Sequence, residues 1–295
     1  MSITVDPEGA RGLVRVGRDL ADSVALVTGG GRGIGRRLAQ ALAGAGATVG
    51  VLARSDDQLT ETVAMITAAG GVAVAAAADL TDTAATAAAI DELRGQLGPV
   101  DLLVNNAGVA GPCGPAWSVD TGSWWRTVEV NLGSVFLCSH LILPEMVARG
   151  RGRIVNVTSR AGAFRWPHMS AYSVSKAAVI KFTENLAVET RPHGIRVFSV
   201  HPGLLPIGLS EPAVAGIPVA DSLEHRVHAW VRGELAEGRG ADPAWAAELV
   251  LRIAAGDADE LSGCHLTVHD DLDAILSRVD EVRSGDLLRL QRREL

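Results

Sequence analysis

The chain is short of cysteine, of aromatic residues and of surplus positive charge, and each shortage removes a class of protein. Its 295 residues contain only three cysteines, Cys113, Cys138 and Cys264. An odd, scattered set of three cannot build a disulfide framework or a zinc ribbon, and it fits a reducing compartment. The thiols therefore read as packing residues. Aromatic side chains make up 4% of the chain and include a single tyrosine. A core with so few rings must be assembled from Val, Leu and Ile and from close helix approaches, which favours a layered α/β fold. The 27 basic and 34 acidic side chains leave a formal charge of -7, the opposite of the basic footprint that nucleic acid or an anionic membrane requires. No apolar run reaches the roughly 18 to 20 residues of a membrane-spanning helix. The first twenty residues also lack the continuous hydrophobic stretch of a signal peptide. The expectation is a soluble, cytoplasmic protein with a small-molecule partner, no nucleic acid and no membrane.

What is present is an alternation. Short β-branched or apolar runs fall at Val24 to Val27, Thr48 to Leu52, Val72 to Ala76, Leu102 to Val104, Ile154 to Val157, Arg196 to Val200 and His265 to Val268. Helical patterning lies between most of them, at Gly33 to Ala45, Asp56 to Ala69, Asp82 to Leu97, Trp124 to Ala148 and Tyr172 to Thr190. Strand and helix in turn imply right-handed crossovers and a doubly wound parallel sheet, a three-layer α/β/α, Rossmann-like arrangement with ligands beyond the carboxyl ends of the strands. No composition break or solenoid repeat divides the chain, so residues 1–295 read as one domain. Two regions stand apart: a Pro- and Gly-punctuated stretch at 203–240, read as a substrate loop or lid, and a charged, helically spaced extension at 269–295 that packs on its own subunit or on a neighbour.

The first strand runs into Thr28-Gly29-Gly30-Gly31-Arg32-Gly33-Ile34-Gly35 and then into a helix. Glycines there let the backbone approach a pyrophosphate, whose charge is met by the helix N-terminal N–H groups. Further on, Tyr172 and Lys176 stand four apart on a helix and so share a face. A free phenol titrates near pH 10, and a neighbouring ammonium is expected to favour the phenolate that acid–base work requires. Ser159 lies thirteen positions before Tyr172, at the end of a strand.

These segments resemble the short-chain dehydrogenase/reductase family. Thr28 to Gly35 matches its Thr-Gly-x-x-x-Gly-x-Gly turn, Asn105-Asn106-Ala107-Gly108 its Asn-Asn-Ala-Gly segment, and Ser159, Tyr172 and Lys176 its catalytic spacing, over residues 22 to 268 or so. The resemblance implies a cofactor site made by Thr28, Gly29, Arg32, Gly33, Ile34, Gly35, Asp79, Leu80, Asn106, Ala107, Gly108, Tyr172, Lys176, Pro202 and Gly203. It implies that Ser159 orients the substrate oxygen, that Tyr172 transfers the proton, that Lys176 also holds the nicotinamide ribose, and that Asn131 binds a water linking Lys176 to solvent. It also implies a homodimer or homotetramer built through the long helices.

An NAD enzyme of this design carries an acidic residue at the end of the second strand, about 20 residues past the glycines. This strand ends Val51-Leu52-Ala53-Arg54. Arg54, with Arg32 as a second cation, instead suits a 2′-phosphate, so NADP(H) is preferred. NAD(H), held by Asp56 or Asp57, stays open. The expected activity is hydride transfer between NADP(H) and a carbonyl or secondary alcohol, with no catalytic metal. The alternatives are an NAD-dependent alcohol dehydrogenase of the same fold and a catalytically idle NADP(H)-binding sensor; a Rossmann-like methyltransferase has no use for the Tyr172–Lys176 pair. Two departures from the family pattern stand out. Ile207 occupies the position of a threonine that would bond the nicotinamide carboxamide, and the Asp-Gly-Gly ending is replaced by Val268-His269-Asp270-Asp271 and a longer tail. Arg165 and Trp166, between Ser159 and Tyr172, border the expected substrate pocket, either recognising an aromatic or anionic substrate or packing against the loop.

Overall fold

Seven strands, β1 (Val24–Thr28), β2 (Thr48–Ala53), β3 (Val72–Ala77), β4 (Leu102–Asn105), β5 (Gly152–Val157), β6 (Ile195–His201) and β7 (His265–Thr267), form one parallel sheet in the order β3-β2-β1-β4-β5-β6-β7. The structure is a computed structural model that describes residues 20–215 and 222–290. The readings of the first nineteen residues, of 216–221 and of 291–295 lie outside the described residues. All seven expected strands are found, with ends that move by one or two positions. β1 is buried along its whole length, as a strand covered on both faces must be.

On one face lie α1 (Gly33–Gly44), α2 (Asp56–Ala68) and α9 (Pro243–Ala255), on the other α3 (Thr83–Leu97), α5 (Ser134–Arg149) and α6 (Ser170–Thr190). Leu38, Leu42, Val51, Val155, Phe198 and Ile253 build the first core layer. Leu26, Ile90, Leu93, Leu103, Ile142, Ile154 and Val197 build the second. Each such fully buried side chain contributes about 1.5–3 kcal/mol relative to leaving it exposed. The chain winds from β1 outward through β2 and β3, then crosses back to β4 on the other side of β1. The crevice beyond the carboxyl ends of β1 and β4 is thus the topological switch point, where such sheets bind ligands.

Three features were not legible as patterns. The expected helix at Trp124 to Ala148 is a continuous run of 29 residues, Thr121–Arg149, in which α4 (Thr121–Val128) and α5 are joined by a π-helical turn at Glu129–Gly133. That run is long and apolar enough to cross a membrane by length and composition, and its inner residues Cys138, Ile142 and Met146 are buried against the sheet. The stretch at 203–240 contains helices, α7 (Glu211–Val214) and α8 (Leu223–Ala236); α8 buries only Val231, so its apolar periodicity is faint. The extension contains α10 (Leu272–Leu276) and α11 (Val279–Ser284) and packs on its own subunit: the His265 N–H on β7 donates to the Leu288 carbonyl at 2.7 Å, and the Leu290 N–H to Glu184 Oε1 at 2.7 Å. Residues of the chain itself thereby take up a backbone donor of the edge strand.

Candidate active site

The glycine turn is packed to the limit that glycine allows. A Cβ on Gly35 would lie 2.2 Å from the Gly29 carbonyl oxygen and 2.4 Å from Asn106 Nδ2, and one on Gly29, whose φ is +65°, would lie 2.9 Å from the Ala107 Cα. Thr28, buried to 2%, ties the turn to β4: its hydroxyl accepts from the N–H groups of Asn106 at 2.9 Å and Ala107 at 3.1 Å. The Asn106 side-chain amide donates to the Thr28 carbonyl at 2.9 Å. Helices α3, α4, α8, α9 and α10 each begin under a Ser or Asp side-chain cap, whereas α1 begins in this turn with no side-chain cap and no acidic residue in its first turn. Its first N–H groups lie beside the cleft, which is the chemistry a pyrophosphate requires. A cradle that a single methyl would fill fits a dinucleotide.

From this turn a cleft of about 1430 Å³ runs along the carboxyl ends of the strands to α8. Gly29, Arg32, Gly33, Ile34, Gly35, Arg54, Asp79, Leu80, Asn106, Ala107, Gly108, Ser159, Tyr172, Lys176, Pro202 and Gly203 all line it. Thr28 and Asn131, both buried, stand just behind the lining. Arg54 is exposed at the end of β2 and has no ion pair among the described residues, while its charge is felt at Asp79. Ser55 and Gln58 line the cleft beside it, and Asp56 and Asp57 do not. Arg32 turns elsewhere: it pairs with Glu211 at 2.8 Å and donates to the Gly208 carbonyl at 3.3 Å. Asp79 accepts from the Thr81 N–H and hydroxyl at 3.1 and 2.8 Å and from Arg126 at 2.8 Å.

The catalytic candidates meet where β4, β5 and α6 converge. Lys176, 3% exposed, donates to the Val157 carbonyl at 2.8 Å, and burial brings its ammonium down to about 8. Its Nζ lies 5.9 Å from the centre of the Tyr172 ring. Burial raises the Tyr172 phenol above its ordinary value, and a hydrogen bond with the Ser159 side chain offsets part of that rise. Ser159 Oγ also accepts from the Ala161 N–H at 3.2 Å. Asn131 is fully buried: its Oδ1 accepts from the Val109 N–H at 2.8 Å, and its amide donates to the Val109 carbonyl at 2.9 Å and to Ser175 Oγ at 3.0 Å. The π-turn presents it there, and such turns are frequent at functional sites. A Cβ on Gly108 would stand 3.2 Å from Asn131 Oδ1 and 3.6 Å from Lys176 Nζ, so these groups surround one point.

Ile207 packs against the core and lines the cleft without supplying a hydroxyl. Trp166 meets Trp230 of α8 edge-on at 4.8 Å, so the loop and α8 close the far end together. Sequence reasoning placed the 203–240 stretch at the substrate end without naming Trp230 or Glu234 of α8, and it did not name Arg160 or His201 as lining the cleft. Arg160 could have been found, because it directly follows Ser159.

A switch-point cleft holding a glycine cradle at one end and Ser159, Tyr172 and Lys176 at the other belongs to an enzyme of the dehydrogenase type. The short chain dehydrogenase family profile matches residues 23–214. The chain belongs to that family and is an oxidoreductase acting on CH–OH or C=O groups. It is similar to cis-4-hydroxycyclohexanecarboxylate dehydrogenase of Sinomonas cyclohexanicum, 36% identical over 88% of this chain and 100% of that one. It is 35% identical to the NAD(+)-linked 2-dehydro-3-deoxy-L-rhamnonate dehydrogenase of a Sphingomonas species, over 74% of this chain and 82% of that one. Among solved structures, a variant actinorhodin polyketide ketoreductase with NADPH superposes with a TM-score of 0.76 at 31% identity, covering 83% of this chain and 95% of the other.

Proposed function

We propose that the protein is an NADP(H)-dependent oxidoreductase that interconverts a carbonyl and a secondary alcohol, with Tyr172 as the general acid and base. The observation that carries this reading is the convergence of Ser159, Tyr172 and buried Lys176 on one cleft whose opposite end is the glycine cradle. When bound, the nicotinamide supplies or accepts the hydride. Ser159 orients the substrate oxygen, and Tyr172 delivers its proton to that oxygen in reduction and takes it back in oxidation. Reduction uses the phenol in its protonated form, and a positioned general acid of this kind lowers the barrier by transferring that proton as the hydride arrives. Lys176 keeps a cation beside the phenol and would hold the nicotinamide ribose; Asn131 holds the Val109 segment and would connect Lys176 to solvent through a water.

Arg54 is the basis for NADP(H) over NAD(H): it is a guanidinium with no ion pair among the described residues, at the end of β2, where an NAD enzyme would have a carboxylate. Arg32, taken by Glu211, contributes less than the sequence suggested. The protein is further proposed to be cytoplasmic, with its three thiols free, and to associate as a homodimer or homotetramer through α5 and α6. Phe136 on α5 is 54% exposed and Val188 on α6 67%, and apolar faces of this kind favour association.

Titration with NADPH and NADH, followed by a carbonyl panel, tests the reading. Tyr172→Phe is expected to cut turnover by about 10²–10⁴-fold, the usual contribution of a positioned acid, with NADPH affinity retained. Near-full turnover in that variant rules out the assignment. Arg54→Ala is expected to erase the preference for NADPH. Equal or better efficiency of the wild type with NADH refutes the cofactor choice.

A further inference from the structure

Beyond Ser159 the cleft has a polar floor that proton transfer does not use. β5 and β6 pair in the register Val157↔Val200, and the Thr158 N–H donates to the Val200 carbonyl at 2.8 Å. His201 therefore stands beside Thr158, one residue before Ser159. On β6, Val197 packs into the layer formed with α6, and alternation places Ser199 and His201 on that same face. Ser199 Oγ and Thr158 Oγ engage His265 Nδ1 at 3.1 and 3.3 Å. His201 lines the cleft, and its Nδ1 is buried with no hydrogen-bond partner. Burial, with smaller contributions from His265, His269 and Arg160, holds the ring neutral, with a pKa near 3. Buried nitrogens are nearly always bonded, and the part of the His201 ring that lines the cleft is the part a ligand reaches.

Arg160 supplies the second group. It is exposed to the cleft, lies 4.9 Å over the Phe164 ring, and has no carboxylate within ion-pair distance among the described residues. The nearby acid of α8, Glu234, is held by Arg239 through two bonds of 2.6 and 2.8 Å. Among the described residues no three His, Cys, Asp or Glu side chains are placed to share a metal ion, so the histidines do not form a metal site.

We propose that Arg160 and His201 form a subsite that takes a carboxylate of the substrate, so that the preferred substrates are anionic ketones and the alcohols they yield. The inference rests on the reading of this cleft as a carbonyl-reduction site. One carboxylate oxygen accepts from the guanidinium and the other from an N–H on the part of the His201 ring that lines the cleft, which places the anion next to the strand end that carries Ser159. The Trp166–Trp230 pair supplies an apolar wall for the carbon skeleton between the two polar ends.

The test uses the full chain with NADPH and matched acid and amide probes, 3-oxo- and 4-oxocyclohexanecarboxylate against the corresponding carboxamides. The expected result is a kcat/KM at least about tenfold higher for at least one acid than for its amide, the effect of one charge-assisted hydrogen bond. Arg160→Gln is expected to bring that ratio close to one, Arg160→Lys to restore part of it, and His201→Phe to lower it severalfold. Calorimetry with cyclohexanecarboxylate and cyclohexanecarboxamide on the NADPH-loaded protein gives the same comparison without turnover. Acid and amide handled alike by the wild type, or a ratio that Arg160→Gln leaves unchanged, overturns the proposal. If no ketone is reduced, the carbonyl-reduction reading fails, and the calorimetric comparison alone decides whether the anion subsite exists.

Discussion

Replacing Gly35 by alanine adds one methyl group at the tightest point of the glycine turn. That methyl would sit 2.2 Å from the Gly29 carbonyl oxygen, about 0.8 Å inside the 3.0 Å that real Cβ contacts respect, and 2.4 Å from Asn106 Nδ2. Neither neighbour is free to swing away: Gly29 is backbone at φ +65°, and the Asn106 amide is bonded to the Thr28 carbonyl at 2.9 Å. The turn must therefore open against α1. Overpacking of this kind costs about 1–3 kcal/mol, and at about 2–4 °C per kcal/mol for a domain of this class the melting temperature falls by roughly 2–12 °C. The opened turn also moves the N–H groups that meet the pyrophosphate, so NADPH affinity falls at least about tenfold as aligned hydrogen bonds are lost. Gly44→Ala in the same helix is the control. A Cβ there meets nothing within 4 Å, and the helix gains up to about 0.5–1 kcal/mol from losing glycine's backbone freedom. Thermal melts and fluorescence titration with NADPH read both variants. If Gly35→Ala melts and binds like the wild type, the turn is not the close-packed cradle described above.

Acid should weaken the protein through two half-buried histidines. His201 and His265 are brought down to about 3 and 4, chiefly by burial; the unfolded chain, titrating near 6.5, binds protons that the folded one refuses, so their contribution is complete above 6.5 and is lost as pH falls. Each costs roughly 2 kcal/mol by pH 5, and urea unfolding at pH 7.5 and 5.0 checks it: a flat stability across that range contradicts the assignment, while His265→Asn should remove about half of the drop. Asn131→Ala strands the Val109 N–H and carbonyl, and at about 1–3 kcal/mol for each buried unpaired group it should lower the melting temperature and reduce kcat together; a variant with normal stability and normal kcat would show that the π-turn serves neither purpose. Thiol labelling of the native protein at pH 8 is expected to reach only Cys113, because Cys138 is buried and pushed up to about 12 and Cys264 is buried and raised; rapid labelling of three thiols per chain would contradict the packing of α5 and β7.

The sheet was legible because each strand buried on both faces must be written in Val, Leu, Ile and Ala, and no other local arrangement gives short apolar runs separated by helical ones. The cradle was legible too, since only glycine fits where a Cβ would stand 2.2 Å from a carbonyl oxygen, and a steric requirement that strict leaves its mark in sequence. The far end of the cleft carries no such mark. α8 buries one side chain, so hydrophobic periodicity, which reports burial, barely registers it, and its Trp230 and Glu234 enter the site only through tertiary packing against the Trp166 loop. Arg32 shows the same limit from the other side: its place beside the glycines suggests a phosphate contact, and the fold also delivers it a glutamate 179 residues away in the chain, which no local spacing announces. Sequence spacing thus reports what one segment demands of its own backbone, whereas a charge is assigned by whichever partner the fold delivers. That is why the reaction class could be read in advance from Ser159, Tyr172 and Lys176, while an anionic substrate, which the sequence raised only through Arg165 and Trp166, finds its proposed partners in Arg160 and His201, two residues whose shared place on the cleft wall no spacing announces.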